Sequence, residues 1–126
     1  KGKLLYNPQM SIGNPYKRDN KGYKKGNNHK LGLKPIIQEN KGVGYPKTIL
    51  LAPKEWSAQT ALSPTQKPVA LMEYLIKTYT NEGETVLDNC MGSGTTGVAC
   101  KKTGRKFIGI EKDDKQFSIS EIRILI

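Results

Sequence analysis

Three glycines and two carboxylic acids stand at a spacing that suits a ligand site. Gly92, Gly94 and Gly97 follow a G-x-G-x-x-G pattern, with Asp88 before them and Glu111 after them. Glycine lets a backbone adopt a positive φ angle and approach a ligand closely. An acid about 20 residues beyond such a turn suits the hydroxyl groups of a ribose. The spacing therefore predicts a site for a cofactor that contains adenosine.

The residues around these groups predict a strand, a glycine turn, a helix and a second strand. Residues 85–88 and 105–110 are predicted as the strands, and residues 95–103 as the helix between them. A parallel strand-helix-strand unit places its ligand crevice at the carboxyl ends of its strands. Asp88 and Glu111 are therefore expected at one edge of the sheet.

Asp88 favours one kind of adenosine cofactor over another. It stands where the strand meets the turn, near the position that a pyrophosphate occupies in a dinucleotide site. A carboxylate there repels phosphates but suits the ammonium or sulfonium of S-adenosylmethionine. A P-loop is excluded because no Gly-Lys-Ser/Thr follows the glycines. A turn whose small residues serve packing alone stays open as the structural alternative.

A second motif precedes the first, and the two together carry a family resemblance. Pro-Thr-Gln-Lys-Pro at 64–68 is followed by an amphipathic helix over 69–79, by Asp-x-x-x-Gly-Ser-Gly-Thr-Thr at 88–96 and by Ile-Gly-Ile-Glu at 108–111. This order resembles the DNA amino-methyltransferases, which methylate adenine N6 or cytosine N4. It resembles the class in which the catalytic half comes first. The resemblance is strong over residues 63–117 and indicates the carboxyl-terminal portion of such an enzyme.

The resemblance implies a role for individual residues of the cofactor site. Asp88 and the backbone of residues 90–94 would line the methionine part of S-adenosylmethionine, and Glu111 would bind the ribose hydroxyls. Thr65 and Lys67 would approach the methionine carboxylate. The residues expected to bind the cofactor are Thr65, Lys67, Asp88, Asn89, Cys90, Gly92, Ser93, Gly94, Thr95, Glu111 and Lys112.

The sequence departs from the family pattern at two places. Ser63 stands where the family usually has His before the Pro-Thr-Gln-Lys-Pro run. Asp88-Asn89-Cys90 stands where the family often has Asp-Pro-Phe. Loss of the Phe removes an apolar wall beside the cofactor, so we expect weaker binding rather than loss of the site.

The first third of the chain carries almost all of the net charge. Residues 1–47 contain 11 Lys and Arg against two acids, a net charge of +9, whereas residues 48–126 contain 10 against nine, a net charge of +1. Cations neutralise phosphates and tyrosine rings stack on exposed bases, so the segment suits a polyanion, and the resemblance implies that this partner is double-stranded DNA. A solvated, partly disordered basic loop is the alternative. The residues expected to contact DNA are Lys17, Arg18, Lys21, Tyr23, Lys24, Lys25 and Lys30.

The catalytic element of the resembled family is absent from this sequence. Such enzymes use Asp/Asn/Ser-Pro-Pro-Tyr/Phe/Trp to bind the target amino group and stack on the flipped base. Asn14-Pro15-Tyr16 lacks the second proline, and Asn7-Pro8-Gln9 is a weaker match. No residue is therefore assigned a catalytic role, and the chain alone is expected to be inactive.

Two functions follow from these observations. The first is the cofactor-binding and DNA-recognition portion of a site-specific, restriction-modification type DNA methyltransferase, acting on adenine N6 or, with less support, cytosine N4. The second is a truncated, non-catalytic relative that binds DNA, S-adenosylmethionine or a partner. In either case a missing catalytic half, a partner chain or self-association is expected, because a parallel sheet of two or three strands is marginal alone.

The expected fold class is α/β. Residues 63–126 would form a partial Rossmann-like half-domain with a parallel sheet, and residues 1–62 an irregular, loop-rich basic segment with a hairpin. A short strand is expected at 48–51 and a last helix from Asp113 or Asp114. Cys90 and Cys100 show neither a metal spacing nor a disulfide framework, and no apolar run spans a membrane. We expect a reducing, cytoplasmic setting of bacterial or phage type.

Overall fold

The computed structural model describes residues 4–20, 36–54, 56–57 and 59–126. By its contacts the chain divides into Met10–Pro46, here called the ribbon unit, and Lys1–Gln9 with Lys47–Ile126, here called the α/β unit. The functional division at residues 62 and 63 stays a prediction. Five of the residues expected to contact DNA lie outside the described residues: Lys21, Tyr23, Lys24, Lys25 and Lys30.

The described residues of the ribbon unit form two short antiparallel strand pairs. Strand β1 (Ser11–Ile12) pairs with β4 (Val43–Gly44), and β2 (Tyr16–Asn20) pairs with β3 (Ile36–Asn40). The expected hairpin corresponds to the pairing of β2 with β3. Between the two pairs, the N–H of Gly13 donates to the carbonyl of Gly42 (2.7 Å), which keeps the two chain segments together.

The α/β unit contains a parallel strand pair and three helices. Strand β5 pairs with β6 in parallel, with Asp88 opposite Gly109, as the sequence predicted. The elements in chain order are α1 (Val69–Tyr79), β5 (Thr85–Asp88), α2 (Thr95–Lys102), β6 (Lys106–Gly109) and α3 (Asp114–Leu125). The predicted strands and helices of this region are confirmed to within two residues at their ends.

Apolar packing between α1 and α2 forms the core of this unit. Val69 and Ile76 from α1 meet Ala99 and Cys100 from α2, and Phe107 of β6 packs against this cluster. Full burial of a Val or Ile side chain contributes about 1.5–3 kcal/mol.

Two surface ion pairs of Glu73, one within α1 and one from α1 to α2, add little to this packing. Glu73 lies 3.9 Å from Lys77 and 3.6 Å from Lys102, and both lysines are exposed. Exposed pairs of this kind contribute at most about 1 kcal/mol. Packing rather than charge therefore holds α1 on α2.

Helix α3 covers the glycine turn, and its contacts leave no room for side chains there. Asp113 caps the helix by accepting from the N–H of Gln116 (2.9 Å). A Cβ atom on Gly94 would lie 2.8 Å from the Cβ of Ser120, and a Cβ on Gly97 would meet the end of Ile124. Glycine at these two positions is therefore a condition for the approach of α3.

The strand predicted at residues 48–51 is absent, so that prediction was wrong. The segment has no regular structure, and Ile49 and Leu51 are 77% and 91% exposed. Pro46 and Pro53 flank the segment, and proline has no N–H to donate to a neighbouring strand. In the described part of the chain, no strand lies beside it.

No helix among the described residues is both long enough and apolar enough to cross a membrane.

We predict that Gly97→Ala lowers the free energy of unfolding. Alanine favours a helix over glycine by about 1 kcal/mol, but the added methyl group overlaps the Ile124 side chain and approaches the Phe107 ring to 2.8 Å. Overpacking costs about 1–3 kcal/mol, so the net effect is destabilising. Urea denaturation of the two proteins measures the difference.

Ile124→Val provides the control, because it removes the Cδ1 atom that the new methyl group meets. By itself it is expected to cost about 0.5–1.5 kcal/mol. The double variant is expected to lose less free energy of unfolding than the sum of the two single losses. The contact with Phe107 remains, so the overpacking is relieved only in part. A Gly97→Ala protein that is more stable than wild type would contradict this account of the α3 contact.

Candidate functional site

Asp88 lies at the carboxyl end of β5, where its carboxylate fixes the start of the glycine turn. One carboxylate oxygen accepts from the hydroxyl of Thr96 (2.6 Å) and the other from the N–H of Cys90 (3.1 Å). Thr96 is in the first turn of α2, so Asp88 joins both ends of the turn. The half-buried carboxylate retains lone pairs for a cation beside it.

Glu111 lies beyond the end of the adjacent strand, and it is joined to the same turn. Its carboxylate accepts from the N–H of Gly92 (2.8 Å) and from the N–H of Asp113 (2.9 Å). These backbone donors hold the pKa of Glu111 below its ordinary value. The carboxylate is therefore ionised at neutral pH, and its remaining lone pairs suit hydroxyl donors.

The space above Gly92 is open. Gly92 has a φ angle of 53°, and a Cβ atom built there would have no neighbour within 4 Å. Gly94, with φ of 73°, is the residue from which α2 begins. The turn therefore presents bare backbone between Asp88 and Glu111, where a ligand with a cationic end and hydroxyl groups finds acceptors on both sides.

The remaining residues expected at the turn differ in exposure. The side chains of Asn89, Cys90 and Lys112 are exposed, whereas Ser93 and Thr95 are 3% and 5% exposed. Ser93 and Thr95 therefore face the protein, and through their side chains they serve the shape of the turn.

The Pro-Thr-Gln-Lys-Pro motif forms a loop before α1, and local hydrogen bonds hold this loop in shape. The ammonium of Lys67 donates to the carbonyl of Thr65 (2.7 Å), and both residues are exposed. The amide oxygen of Gln66 accepts from the N–H of Leu62 (2.9 Å), and the carbonyl of Leu62 accepts from Gln116 of α3 (3.4 Å). The motif is thus tied to the first turn of α3, just after Glu111. Within the described residues, no hydrogen bond joins Thr65 or Lys67 to Asp88 or Glu111.

A cleft lies beside the same loop. It has a volume of about 400 Å³ and is lined by residues that include Trp56, Leu62 and Pro64. The Leu62 carbonyl that accepts from Gln116 places this cleft at the amino-terminal end of α3.

Arg123 near the end of α3 is a site residue that sequence reasoning missed. Its Nη1 atom donates to the carbonyl of Ser93 (2.9 Å), to the hydroxyl of Ser93 (3.2 Å) and to the hydroxyl of Thr95 (2.9 Å). A basic residue in the last turn of a helix is ordinarily read as favourable to the helix dipole. No spacing in the sequence connects it to the glycine turn.

Asn7 has a structural role that the sequence did not reveal. Its N–H donates to the carbonyl of Thr78 (2.8 Å), and its side-chain amide donates to the carbonyl of Thr80 (3.3 Å), so it closes the carboxyl end of α1. Arg105 donates to the same Thr80 carbonyl (2.9 Å). The amide of Asn7 is thus engaged within the α/β unit, which argues against a catalytic part for Asn7-Pro8-Gln9.

The two cysteines are free and lie in different surroundings. Cys90 is exposed on the turn and Cys100 is buried in the core, where burial raises the pKa of its thiol. In the described part of the chain, no group of three or more His, Cys, Asp or Glu side chains is placed to hold a metal ion.

In the ribbon unit, the register of β2 and β3 places two of the expected DNA-contacting residues on opposite faces. Arg18 is opposite Gln38, and Lys17 is opposite Glu39. Side chains directly opposite each other share a face and successive residues alternate. Lys17 and Glu39 form an exposed ion pair (2.8 Å), whereas Arg18 is exposed on the other face with Gln38.

The amino-acid sequence matches a known family and is similar over part of its length to two Type II methyltransferases. Residues 1–121 match the DNA methylase family of N6 and N4 methyltransferases. Over 61 residues the chain is 48% identical to the Type II methyltransferase M2.DpnII of Streptococcus pneumoniae and 46% identical to the Type II methyltransferase M2.LlaDCHI of Lactococcus lactis subsp. cremoris. The matched segment is 48% of this chain and 23% of each relative.

Two solved structures are similar to this chain. The chain is 44% identical to M1.HpyAVI in its SAM complex, with a TM-score of 0.53 over 58% of this chain and 36% of that one. The PvuII cytosine-N4-specific DNA methyltransferase has a TM-score of 0.56 over 93% of this chain and 52% of that one, and at 19% identity it bears on the fold alone. The expected α/β, Rossmann-like fold class is confirmed, and so is the resemblance read from the motifs. This chain belongs to the DNA methylase family of N6 and N4 amino-methyltransferases.

Proposed function

We propose that this chain is the cofactor-binding and DNA-recognition portion of a site-specific DNA methyltransferase. The observation that carries the proposal is the open glycine turn held between two carboxylates, with Glu111 bonded to the N–H of Gly92 and Asp88 bonded to Thr96. The chain spans 23% of the Type II relatives' length and 36% of the M1.HpyAVI structure. The activity is therefore proposed for a whole protein of which these residues form one part.

The residues of the turn fit S-adenosylmethionine, which supplies a methyl group on a sulfonium. Asp88 offers a carboxylate to the cationic methionine part, and Glu111 offers acceptors to the ribose hydroxyls. The bare backbone at Gly92 admits the ligand closely, since nothing lies within 4 Å of its Cβ position. Thr65 and Lys67 are the candidates for the methionine carboxylate, and Lys112 for the surroundings of the adenine.

The proposed substrate is double-stranded DNA, methylated at adenine N6 or, with less support, at cytosine N4. The ribbon unit suits it, because a two-stranded β-ribbon fits the major groove of DNA. Of the described residues, Arg18 and Gln38 share one exposed face of this ribbon. Lys17 is paired with Glu39 on the other face, which lowers its pull on phosphates.

Catalysis also requires a segment that carries the Asp/Asn/Ser-Pro-Pro-aromatic element. The free side of β5 suits the addition of further strands, since within the described residues β5 pairs with β6 alone. Leu87 of β5 is 62% exposed, and an open cleft of about 370 Å³ beside it is lined by apolar residues that include Met72, Leu75 and Tyr79. We infer that a catalytic segment, from the same polypeptide or from a partner chain, covers this face.

A non-catalytic DNA-binding or cofactor-binding relative is the second candidate. It is favoured by the sequence itself, in which Asn14-Pro15-Tyr16 lacks the second proline and Asn7 is engaged at the end of α1. Incubation of the chain with S-adenosylmethionine and unmethylated DNA separates the two candidates. Methyl transfer when a polypeptide with the Asp/Asn/Ser-Pro-Pro-aromatic element is added would favour the enzyme portion, and binding without transfer in that mixture would favour the non-catalytic relative.

We predict that the chain binds S-adenosylmethionine at about one molecule per chain and that Glu111→Gln weakens this binding at least about tenfold. The amide would turn an N–H toward the backbone donors of Gly92 or Asp113 and would remove acceptors from the ribose. Isothermal titration calorimetry measures both affinities.

Glu121→Gln is the matched control. Glu121 is an exposed acid of α3, and its side chain forms no hydrogen bond or ion pair with the described residues. Its affinity for S-adenosylmethionine should equal that of the wild type. Equal affinities for all three proteins would mean that Glu111 does not bind the cofactor. A folded wild-type chain that fails to bind would contradict the proposed cofactor site as a whole.

The pH dependence of binding follows from the pKa of Glu111. Backbone N–H groups lower this pKa below the ordinary value of 4.5, so the carboxylate stays ionised until the pH falls below that value. The stabilisation that ionised Glu111 gives is therefore complete above pH 4.5 and is lost as the pH falls through the lowered pKa. We expect the affinity ratio of wild type to Glu111→Gln to stay constant between about pH 8 and pH 5. A ratio that declines steadily from pH 8 would show that another group controls it.

For DNA, we predict opposite effects of two substitutions on the ribbon. Arg18→Ala should weaken duplex binding and reduce the slope of log K against log salt by about one, as loss of one phosphate contact does. Glu39→Gln should strengthen binding, because it releases Lys17 from its 2.8 Å ion pair. Fluorescence anisotropy over a salt series measures both.

Lys115→Ala serves as the control for general charge, since Lys115 is an exposed cation of α3 in the other unit. It should change affinity much less than Arg18→Ala does. Equal losses of DNA affinity for the two variants would mean that DNA binding depends on the overall charge of the chain and not on the ribbon unit.

A further inference from the structure

Helix α3 lies against the back of the glycine turn at very short range. Ser120 is fully buried, and its Cβ atom would lie 2.8 Å from a Cβ on Gly94. Ile124 occupies the space beside Gly94 and Gly97. One turn of α3 therefore forms the wall on which the cofactor turn rests.

The turn itself has few hydrogen bonds of its own. Within the turn, the N–H of Gly94 donates to the carbonyl of Met91 (2.9 Å), whereas the N–H of Gly92 donates to Glu111 (2.8 Å) and that of Met91 to the carbonyl of Ile110 (3.0 Å), both outside it. Gly92 and Gly94 both have positive φ angles, a region that glycine enters and leaves without steric cost. Such a segment holds one conformation when contacts from outside fix it.

Arg123 supplies contacts of this kind from α3. Its guanidinium donates to the carbonyl of Ser93 (2.9 Å) and to the hydroxyl of Thr95 (2.9 Å), and both residues are buried. A buried acceptor that loses its donor is left with an uncompensated desolvation penalty. Loss of the guanidinium would therefore favour other conformations of the turn, in which these oxygens reach water.

We propose that Arg123 is a positioning residue for cofactor binding. It acts through Ser93 and Thr95, which keep the backbone of the turn in the shape that receives the ligand, and it does not touch the ligand itself. The proposal rests on the proposed function, because it assigns the purpose of the ordered turn to S-adenosylmethionine.

Arg105 provides a matched comparison within the same unit. It is also half-buried and donates to backbone carbonyls and a hydroxyl, those of Thr80 and Thr103. Its acceptors lie at the ends of α1 and α2 and not on the glycine turn. Removal of either guanidinium should lower the free energy of unfolding, but only removal of the Arg123 guanidinium should alter the glycine turn.

The test compares Arg123→Met and Arg105→Met with the wild-type chain. Titration calorimetry with S-adenosylmethionine should show about a tenfold loss of affinity for Arg123→Met and a change of less than about twofold for Arg105→Met. Arg123→Lys should lie between Arg123→Met and wild type, because its ammonium still donates but its point charge reaches fewer of the acceptors.

Hydrogen exchange of the free chain gives a second readout that needs no ligand. The amides of Gly92, Gly94 and Val98 are hydrogen bonded in the folded turn and at the start of α2. Arg123→Met should speed the exchange of these amides by more than its loss of global stability accounts for. For Arg105→Met, the loss of global stability should account for any faster exchange. Equal exchange and equal affinity for the two methionine variants would overturn the proposal. If the wild type does not bind S-adenosylmethionine, the proposed function fails, and the exchange comparison still decides whether Arg123 positions the turn.

Discussion

The absence of side chains at Gly94 and Gly97 is the constraint on which the α/β unit depends. Without Cβ atoms at these two positions, α3 comes close enough for Ser120 to be buried and for Ile124 to fill the space beside α2. The same closeness brings the guanidinium of Arg123 within hydrogen-bonding distance of the turn. A turn that is flexible by composition is thus made rigid by the helix behind it.

The two carboxylates of the proposed cofactor site have a structural role beside their proposed role in recognition. Asp88 accepts from Cys90 and Thr96, and Glu111 accepts from Gly92 and Asp113, so each acid orders backbone before any ligand arrives. Interactions that are formed in advance reduce the ordering cost of binding. Substitution of either acid, even by its amide, therefore acts on the shape of the site as well as on the proposed contact to the ligand.

Local signals in the sequence predicted most of the α/β unit, but they did not reveal contacts between residues that are far apart in the sequence. Apolar periodicity and the glycines predicted the helices and strands of this unit, which are α1, β5, α2, β6 and α3. The spacing of Asp88 and Glu111 predicted that both acids lie at the edge of the sheet beside the turn. The strand at 48–51 failed because β-propensity counts for little without a neighbouring strand. Arg123 and Ser93 are 30 residues apart, and Asn7 and Thr80 are 73 apart. Such pairs become neighbours only when helices pack, and no local pattern marks them.

The distribution of charge separates the two proposed activities of the chain. Residues 1–47 carry a net charge of +9 and the rest of the chain +1. Binding to DNA through released counterions weakens steeply with salt, whereas the acids at the glycine turn reach their ligand through short contacts between fixed groups. Salt screens exposed charges much more than it screens short hydrogen bonds to oriented donors. Rising ionic strength should therefore remove DNA from the ribbon unit at concentrations that leave cofactor binding largely intact, and the two activities respond to the solvent as separate properties of one chain.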